Sequence, residues 1–397
     1  MRFNTDGFRR IRNIALRAWW KGFGVAAPTK VCHEAKPQIE VEPASQYEYG
    51  QRTMYGAIDE VGPAVEQMIA GDHLSVHDRQ WNGESTIDYP ASGISFLDQG
   101  SVVGRSGILI SPEHGVMEDL GGSSLASLLD NEAPPSHLPR PTKVKGDVLA
   151  MTRFLAHRNY YHWTLEMLSQ LRLLEQADVS YDYVAASKRR AFARQTLELL
   201  GIPAEKIVLT NHYTHLQADR LIVPSAGHFY PQAEGVRYLR ERMRRQSWSH
   251  YDRDDRLKLY IARRKSLSRN IVNEEELFAQ LEPLGFQKVY LEYLPLKRQI
   301  QLFQRAGVVV GPHGAGFTNL VYSPPRTAVF EITPTCRPAL FFHYLAEINE
   351  QPHAVYFGQP AGQRGSDANI QVDAQDVRRS LSEFLETIGS DRQLAAA

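Results

Sequence analysis

The chain has 397 residues, enough for about two domains with sizeable cores, and its 43% hydrophobic and 23% charged content is ordinary for a globular protein. Its 45 basic residues balance its 45 acidic ones, so no electrostatic footprint for nucleic acid is present. The two cysteines, Cys32 and Cys336, lie far apart and form no metal or disulfide framework, which suits a reducing compartment; no apolar run approaches the roughly 18 residues of a transmembrane helix.

Residues 1–27 form a basic amphipathic segment. Arg2, Arg9, Arg10, Arg12, Arg17 and Lys21 face the single acid Asp6, and Phe8, Ile11, Ala15, Ala18 and Trp19 fall on one helical face. That composition suits a helix lying in an anionic membrane surface, so residues 1–24 are expected to make peripheral membrane contact. No unbroken apolar core follows the basic start, so a secretory signal is not expected.

Residues 28–146 are rich in Pro, Gly and Ser, with short alternating stretches, and predict an irregular N-terminal lobe of short strands. Asp72, His73, His77 and Asp78 cluster there, but their spacing matches no metal signature and reads as a solvated loop.

Residues 147–250 predict a first Rossmann-like domain. Strands are expected at Val148–Thr152, Tyr183–Ala186, Ile207–Thr210 and Leu221–Val223, and helices over Asn159–Gln176, Lys188–Leu200 and Glu234–Arg245. The Asn159 helix carries N-x-x-H-x-x-x-E. His162 and Glu166 are four apart and share a face, which makes an acid/base unit in which either group can take a proton. Tyr160, Tyr161 and Trp163 crowd them with aromatic rings, as carbohydrate sites often do.

Residues 251–397 predict a second Rossmann-like domain. The strand Leu257–Ala262 runs into Arg263, Lys265 and Arg269, cations placed where a strand end could meet phosphate. Asn273 and three glutamates open a helix to Leu281. A strand at Val289–Leu291 and a helix at Leu296–Arg305 follow. Gly307–Val310 reads as a buried strand entering a turn at Gly311, Pro312, His313, Gly314, Ala315 and Gly316, then a short helix over Phe317–Tyr322 and a strand over Ala328–Ile332. The convergence of strand ends, glycine turn and helix start predicts a diphosphate-sized anion on the turn and a hydroxyl-rich group on Glu331. His313, Asn319 and Glu331 are polar where a purely structural crossover needs none. Helices at Pro338–Asn349 and Ala374–Ile388 close the chain, the last expected to reach back to the first domain.

At NYYHWTLEMLSQLRLL (Asn159–Leu174), RRKSLSRNIVNEEEL (Arg263–Leu277) and GPHGAGFTNLVYSPPRTAVFEI (Gly311–Ile332), the chain resembles glycosyltransferase family 61. The family includes plant xylan arabinosyl- and xylosyltransferases, animal O-linked N-acetylglucosaminyltransferases and bacterial surface-polysaccharide proteins. The resemblance implies a GT-B fold of two Rossmann-like lobes, a nucleotide-sugar donor on the C-terminal lobe, and a glycan or lipid-linked oligosaccharide acceptor. It implies inverting transfer with no cofactor and no metal. Carried over by position, Arg263 and Arg269 would hold the diphosphate, with Lys265 of the same basic stretch expected on the donor side. His313 and the backbone of Gly314, Ala315 and Gly316 would support it, and Glu331 would bind ribose; Asn319 is a further donor-side candidate from its place beside the turn. His162 and Glu166 would be catalytic, with Asn159, Tyr161 and Trp163 on the acceptor side. Without a secretory signal or anchor, a bacterial member at the cytoplasmic face of the inner membrane is expected. A catalytically silent nucleotide- or glycan-binding protein, or a nucleotide-sugar epimerase, would share many of these features.

Overall fold

The computed structural model describes residues 25–26, 31–32, 38–50, 53–61, 85–113, 115–117, 137–153, 155–225, 230–245, 256–263, 268–337, 339–362 and 367–394. Residues 1–24, the Asp72–Asp78 cluster and Lys265 lie outside them. Contacts divide the chain into two units, Met1–Ala44 with Pro90–Phe229, and Ser45–Tyr89 with Tyr230–Ala397. The sequence places the boundary near residue 250. The contact division falls at 229/230, so the basic helix Ala233–Arg245 belongs to the second unit.

The first unit is built on four parallel strands, β1 (Thr142–Met151), β2 (Tyr183–Ser187), β3 (Ile207–Thr210) and β4 (His215–Pro224), in the order β3-β2-β1-β4. That is the order of a Rossmann half, in which the connections leave β1 to opposite sides. Strands β1 and β2 end in the fully buried Val148–Met151 and Val184–Ser187, as expected for a sheet covered on both faces. The predicted N-terminal lobe contributes to this sheet: Ser92–Asp98 and Ser101–Val103 pair antiparallel to β4, and Ile39–Glu42 pairs with Ser92–Asp98. Arg172, nearly fully buried, grips Glu42 with two guanidinium nitrogens and ties that outer strand to the helix Leu171–Gln176.

The second unit has five parallel strands, β5 (Leu257–Ala262), β6 (Phe286–Tyr290), β7 (Ala306–Pro312), β8 (Ala328–Pro334) and β9 (His353–Ala361), in the order β6-β5-β7-β8-β9. Thr53–Gly56, also from the predicted N-terminal lobe, adds a parallel strand beside β9. This is a doubly wound 2-1-3-4-5 sheet. Its crossovers reverse between β5 and β7, and such sheets bind ligands in the crevice at the carboxyl ends of those two strands. The closing helix Ala374–Leu394 packs within its own unit through Val377, Leu381, Phe384 and Ile388, which join a core with Tyr260, Leu277, Leu281 and Phe330. Among the described residues no helix is long and apolar enough to cross a membrane.

Candidate active site

Strand β8 reads Ala-Val-Phe-Glu-Ile-Thr-Pro and is buried along its whole length. A carboxylate in such a strand needs hydrogen-bond donors. Glu331 has two: His313 Nδ1 lies on Oε1, and His353 Nε2 on Oε2 at 3.0 Å. The register explains both. Gly311 of β7 and Val355 of β9 stand opposite Glu331, so His313 and His353 sit two residues away on the same face of the flanking strands. With both oxygens taken and 1% of its surface exposed, Glu331 orients His313 instead of facing ribose, which corrects the role expected of it.

His313 is also fixed through its backbone. Its N–H donates to the Ile332 carbonyl at 2.8 Å, and its own carbonyl accepts from Arg263 Nη1 at 3.0 Å. The Arg263 bond spans the carboxyl ends of β5 and β7, the point where the crossovers reverse. Glycine at 314 leaves room for it, since a Cβ there would lie 3.1 Å from Arg263 Nη1 and 3.4 Å from its Cζ. Gly314→Ala is therefore expected to shift the guanidinium by a few tenths of an ångström and loosen its bond to the His313 carbonyl, while leaving Tm in thermal denaturation nearly unchanged. The helix after the turn is a 3-10 helix, Ala315–Tyr322, beginning two residues earlier than expected.

Arg269 approaches from a strained backbone with φ 56°. Side-chain and ladder bonds hold that conformation: Asn270 N and Nδ2 both donate to Asn369 Oδ1 at 3.0 Å, and Ile370 N donates to the Asn270 carbonyl at 2.8 Å. The guanidinium bonds Asp367 through Nη1 at 2.9 Å, and its buried Nε–H has no acceptor among the described residues. Arg337 follows the end of β8, in a turn closed by Arg337 N on the Pro334 carbonyl at 2.8 Å. Burial first, then Arg337 and Arg263, push the Arg269 pKa down to about 10. Three guanidiniums thus crowd one strand edge and repel one another, an arrangement that an anion relieves.

Burial holds the His313 pKa down at about 4; the Glu331 carboxylate opposes the shift, and Arg337 and Arg269 add to it. The imidazole is neutral at pH 7, with Nδ1–H assigned to Glu331. An unfolded histidine titrates near 6.5, so between pH 6.5 and 4 the unfolded chain takes a proton that the folded one refuses. The contribution is intact above 6.5 and lost as pH falls through 4, worth about 3 kcal/mol. In urea unfolding, wild type is expected to lose about that much more stability over this window than His313→Gln.

Asn319, expected at the donor, is fully buried and donates to the Gln299 side chain and the Gly316 carbonyl, each at 3.2 Å. It fixes the turn instead of touching a ligand.

In the first unit, Arg153 follows the end of β1 and bonds Glu166 Oε2 at 2.9 Å. His162 Nδ1 lies on Glu166 Oε1. The pairing expected from the four-residue spacing is present, but not on a regular α-helix. His162–Met167 is a π-helical turn followed by 3-10 residues to Gln170, and Ser169 Oγ donates back to the Leu165 carbonyl at 2.6 Å, a bond that disturbs regular winding. Glu166 is 2% exposed with one oxygen on Arg153 and the other on His162, so it is held as a partner to the imidazole. Trp163 is 1% exposed and its Nε1 donates to Thr196 Oγ1 at 2.8 Å, so it is a core residue and not an acceptor platform. Asn159 Oδ1 accepts from Tyr161 N at 2.9 Å and starts the helix, and the buried Tyr161 ring meets His162 edge-on at 5.5 Å. Sequence reasoning missed Arg153, His353 and Arg337, none of which sits in a periodic pattern.

Both units thus place an imidazole, steadied by a buried carboxylate, at the carboxyl edge of a Rossmann-type sheet, and the second adds an arginine cluster. Residues 160–330 match the glycosyltransferase 61 family. The chain is 36% identical over 76 residues to the EGF domain-specific O-linked N-acetylglucosamine transferase of Drosophila melanogaster, a stretch covering 18% of this chain and 14% of that protein. It is 27% identical over 133 residues to a beta-1,2-xylosyltransferase of Arabidopsis thaliana, covering 30% and 23%. The matches therefore span less than a quarter of either relative. A solved heptosyltransferase, TibC, aligns over 65% of this chain and 80% of its own at 10% identity with a TM-score of 0.31, too loose a likeness to carry an argument. The stretch that matches the family, residues 160–330, holds His162, Glu166, Arg263, Arg269 and His313.

Proposed function

We propose that this chain is an inverting, metal-independent glycosyltransferase of the GT-B plan. It moves a sugar from a nucleotide sugar to a hydroxyl of a glycan or lipid-linked glycan during surface-polysaccharide synthesis. The observation that carries the reading is the anion site at the reversal point of the second sheet, where Arg263 is bonded to the His313 carbonyl with Arg269 and Arg337 close by.

Inversion is a single displacement. His162 Nε2 takes the proton of the acceptor hydroxyl as its oxygen bonds to the anomeric carbon, and the Glu166 carboxylate stabilises the imidazolium. The bond from that carbon to the diphosphate oxygen breaks, its electron pair leaving with the nucleoside diphosphate. Arg263, Arg269 and Arg337 meet the charge that develops there, the role a divalent cation plays elsewhere. Glu166, with Arg153 on its second oxygen, keeps the imidazole in the tautomer that presents Nε2. Residues 1–24, basic and aromatic, would hold the enzyme at the cytoplasmic face of a bacterial inner membrane. Membrane partitioning unchanged on their deletion would refute that part.

The direct test incubates the protein with a panel of nucleotide sugars and membrane or glycan extracts, with and without EDTA. Mass spectrometry should find one sugar added to an acceptor with nucleoside diphosphate released, insensitive to EDTA, and NMR should find the anomeric configuration inverted. Sugar-nucleotide isomerisation without acceptor would replace the transferase by an epimerase.

A further inference from the structure

The reading above leaves the nucleoside of the donor without a partner, because Glu331 is buried between two imidazoles. The inference here rests on that reading and deepens it. β6 is the strand beside β5, and its carboxyl end borders the reversal point, where open doubly wound sheets bind ligands in the crevice outside the strand ends. After Tyr290, the end of β6, the chain makes a 3-10 turn, Leu291–Tyr293. Leu291 is buried, whereas Glu292 is exposed and Tyr293 is 62% exposed, the most exposed large hydrophobic residue among those described.

This turn is built onto the anion site. A Cβ at Gly316 would lie 3.0 Å from Leu291 Cδ1, so the two turns touch. Gln299 Nε2 donates to the Leu291 carbonyl at 2.9 Å and the Leu294 carbonyl at 3.0 Å, and Asn319 Nδ2 donates to Gln299 Oε1 at 3.2 Å. The buried Asn319 therefore clamps the Glu292–Tyr293 turn to the glycine turn, which gives a use to a residue that binds no ligand itself. The Tyr293 ring is further supported by Tyr290, centroids 6.0 Å apart. Burial lowers the Arg263 pKa, and Glu292 is the strongest charge opposing it, so the carboxylate lies within electrostatic reach of the phosphate-binding guanidinium.

We propose that Glu292 and Tyr293 form the nucleoside end of the donor site: the Glu292 carboxylate accepts hydrogen bonds from ribose hydroxyls and the Tyr293 ring stacks on the base. The diphosphate lies beyond them, over Arg263 and the His313 turn. Both side chains project from a turn held by backbone bonds, so replacing them spares the fold.

The test is calorimetric titration of UDP, GDP, ADP and CDP, the 2′-deoxy counterpart of whichever binds best, and pyrophosphate, into wild type, Glu292→Gln and Tyr293→Ala. Wild type is expected to bind the best nucleoside diphosphate at least about tenfold more tightly than pyrophosphate, and each variant to lose about tenfold on the nucleotide and at most about twofold on pyrophosphate. The penalty for removing the 2′-hydroxyl should vanish in Glu292→Gln. Nucleotide affinity unchanged in both variants, or no tighter than pyrophosphate in wild type, would overturn the nucleoside subsite while leaving the diphosphate reading in place. Binding of neither ligand to wild type would overturn both.

Discussion

His162→Ala is expected to lower the turnover of sugar transfer by about 10²- to 10⁴-fold, the usual contribution of a positioned general base, with little change in nucleotide affinity. The sequence alone leaves His162 and Glu166 interchangeable. In the structure Glu166 is 2% exposed and holds His162 on one oxygen and Arg153 on the other, which supports the proposal that Glu166 orients and the imidazole is the base. Nucleotide affinity should persist because the arginines proposed to hold the diphosphate belong to the second unit and His162 to the first. Glu166→Gln should also slow transfer, since an amide cannot satisfy both Nδ1–H and Arg153 as acceptors. If Glu166→Gln abolished transfer while His162→Gln kept it, the roles would be reversed.

The second large effect is on stability. Glu331→Ala removes the acceptor of two buried imidazoles, His313 and His353. Each orphaned donor costs about 1 to 3 kcal/mol, so unfolding should become easier by roughly 2 to 6 kcal/mol, a Tm lower by about 10 °C for a unit of this size. Glu331→Gln keeps one acceptor and should fall between. Pyrophosphate affinity should drop with it, because the His313 carbonyl that anchors Arg263 moves when the ring loses its hold. A Tm in Glu331→Ala within about a degree of wild type would mean the network contributes nothing to stability.

The parts of this arrangement legible in the sequence are those written in short, local patterns. Leu257–Ala262 and Ala328–Ile332 read as strands because their apolar runs are broken only by Lys258 and Glu331, and His162 with Glu166 read as a pair because four residues return a helix to one face. Arg153 carried no such signal. It stands 13 positions before Glu166, after a strand, and only the path of the chain around the β1 end brings them together. His353 was equally silent, since linking it to Glu331 requires the parallel register of β8 and β9, a pairing of segments more than 20 residues apart. The strands at Thr53–Gly56 and Ser92–Asp98 looked like a lobe of their own because their partners, β9 and β4, lie far along the chain. Asn319 and Trp163 misled for the opposite reason: a polar or aromatic residue beside a site looks like a ligand contact until its burial is known.

A nucleoside diphosphate is expected to sit on the arginine and glycine turn of the second unit. The most direct measurement is thermal denaturation with a panel of nucleoside diphosphates and nucleotide sugars, with and without EDTA, on wild type and Arg263→Ala. A ligand at about a hundred times its Kd stabilises the folded state by roughly 2.7 kcal/mol, a readily measured shift. A selective shift that survives EDTA and is lost in Arg263→Ala is the predicted result. No shift with any nucleotide, or an equal shift in Arg263→Ala, would contradict it.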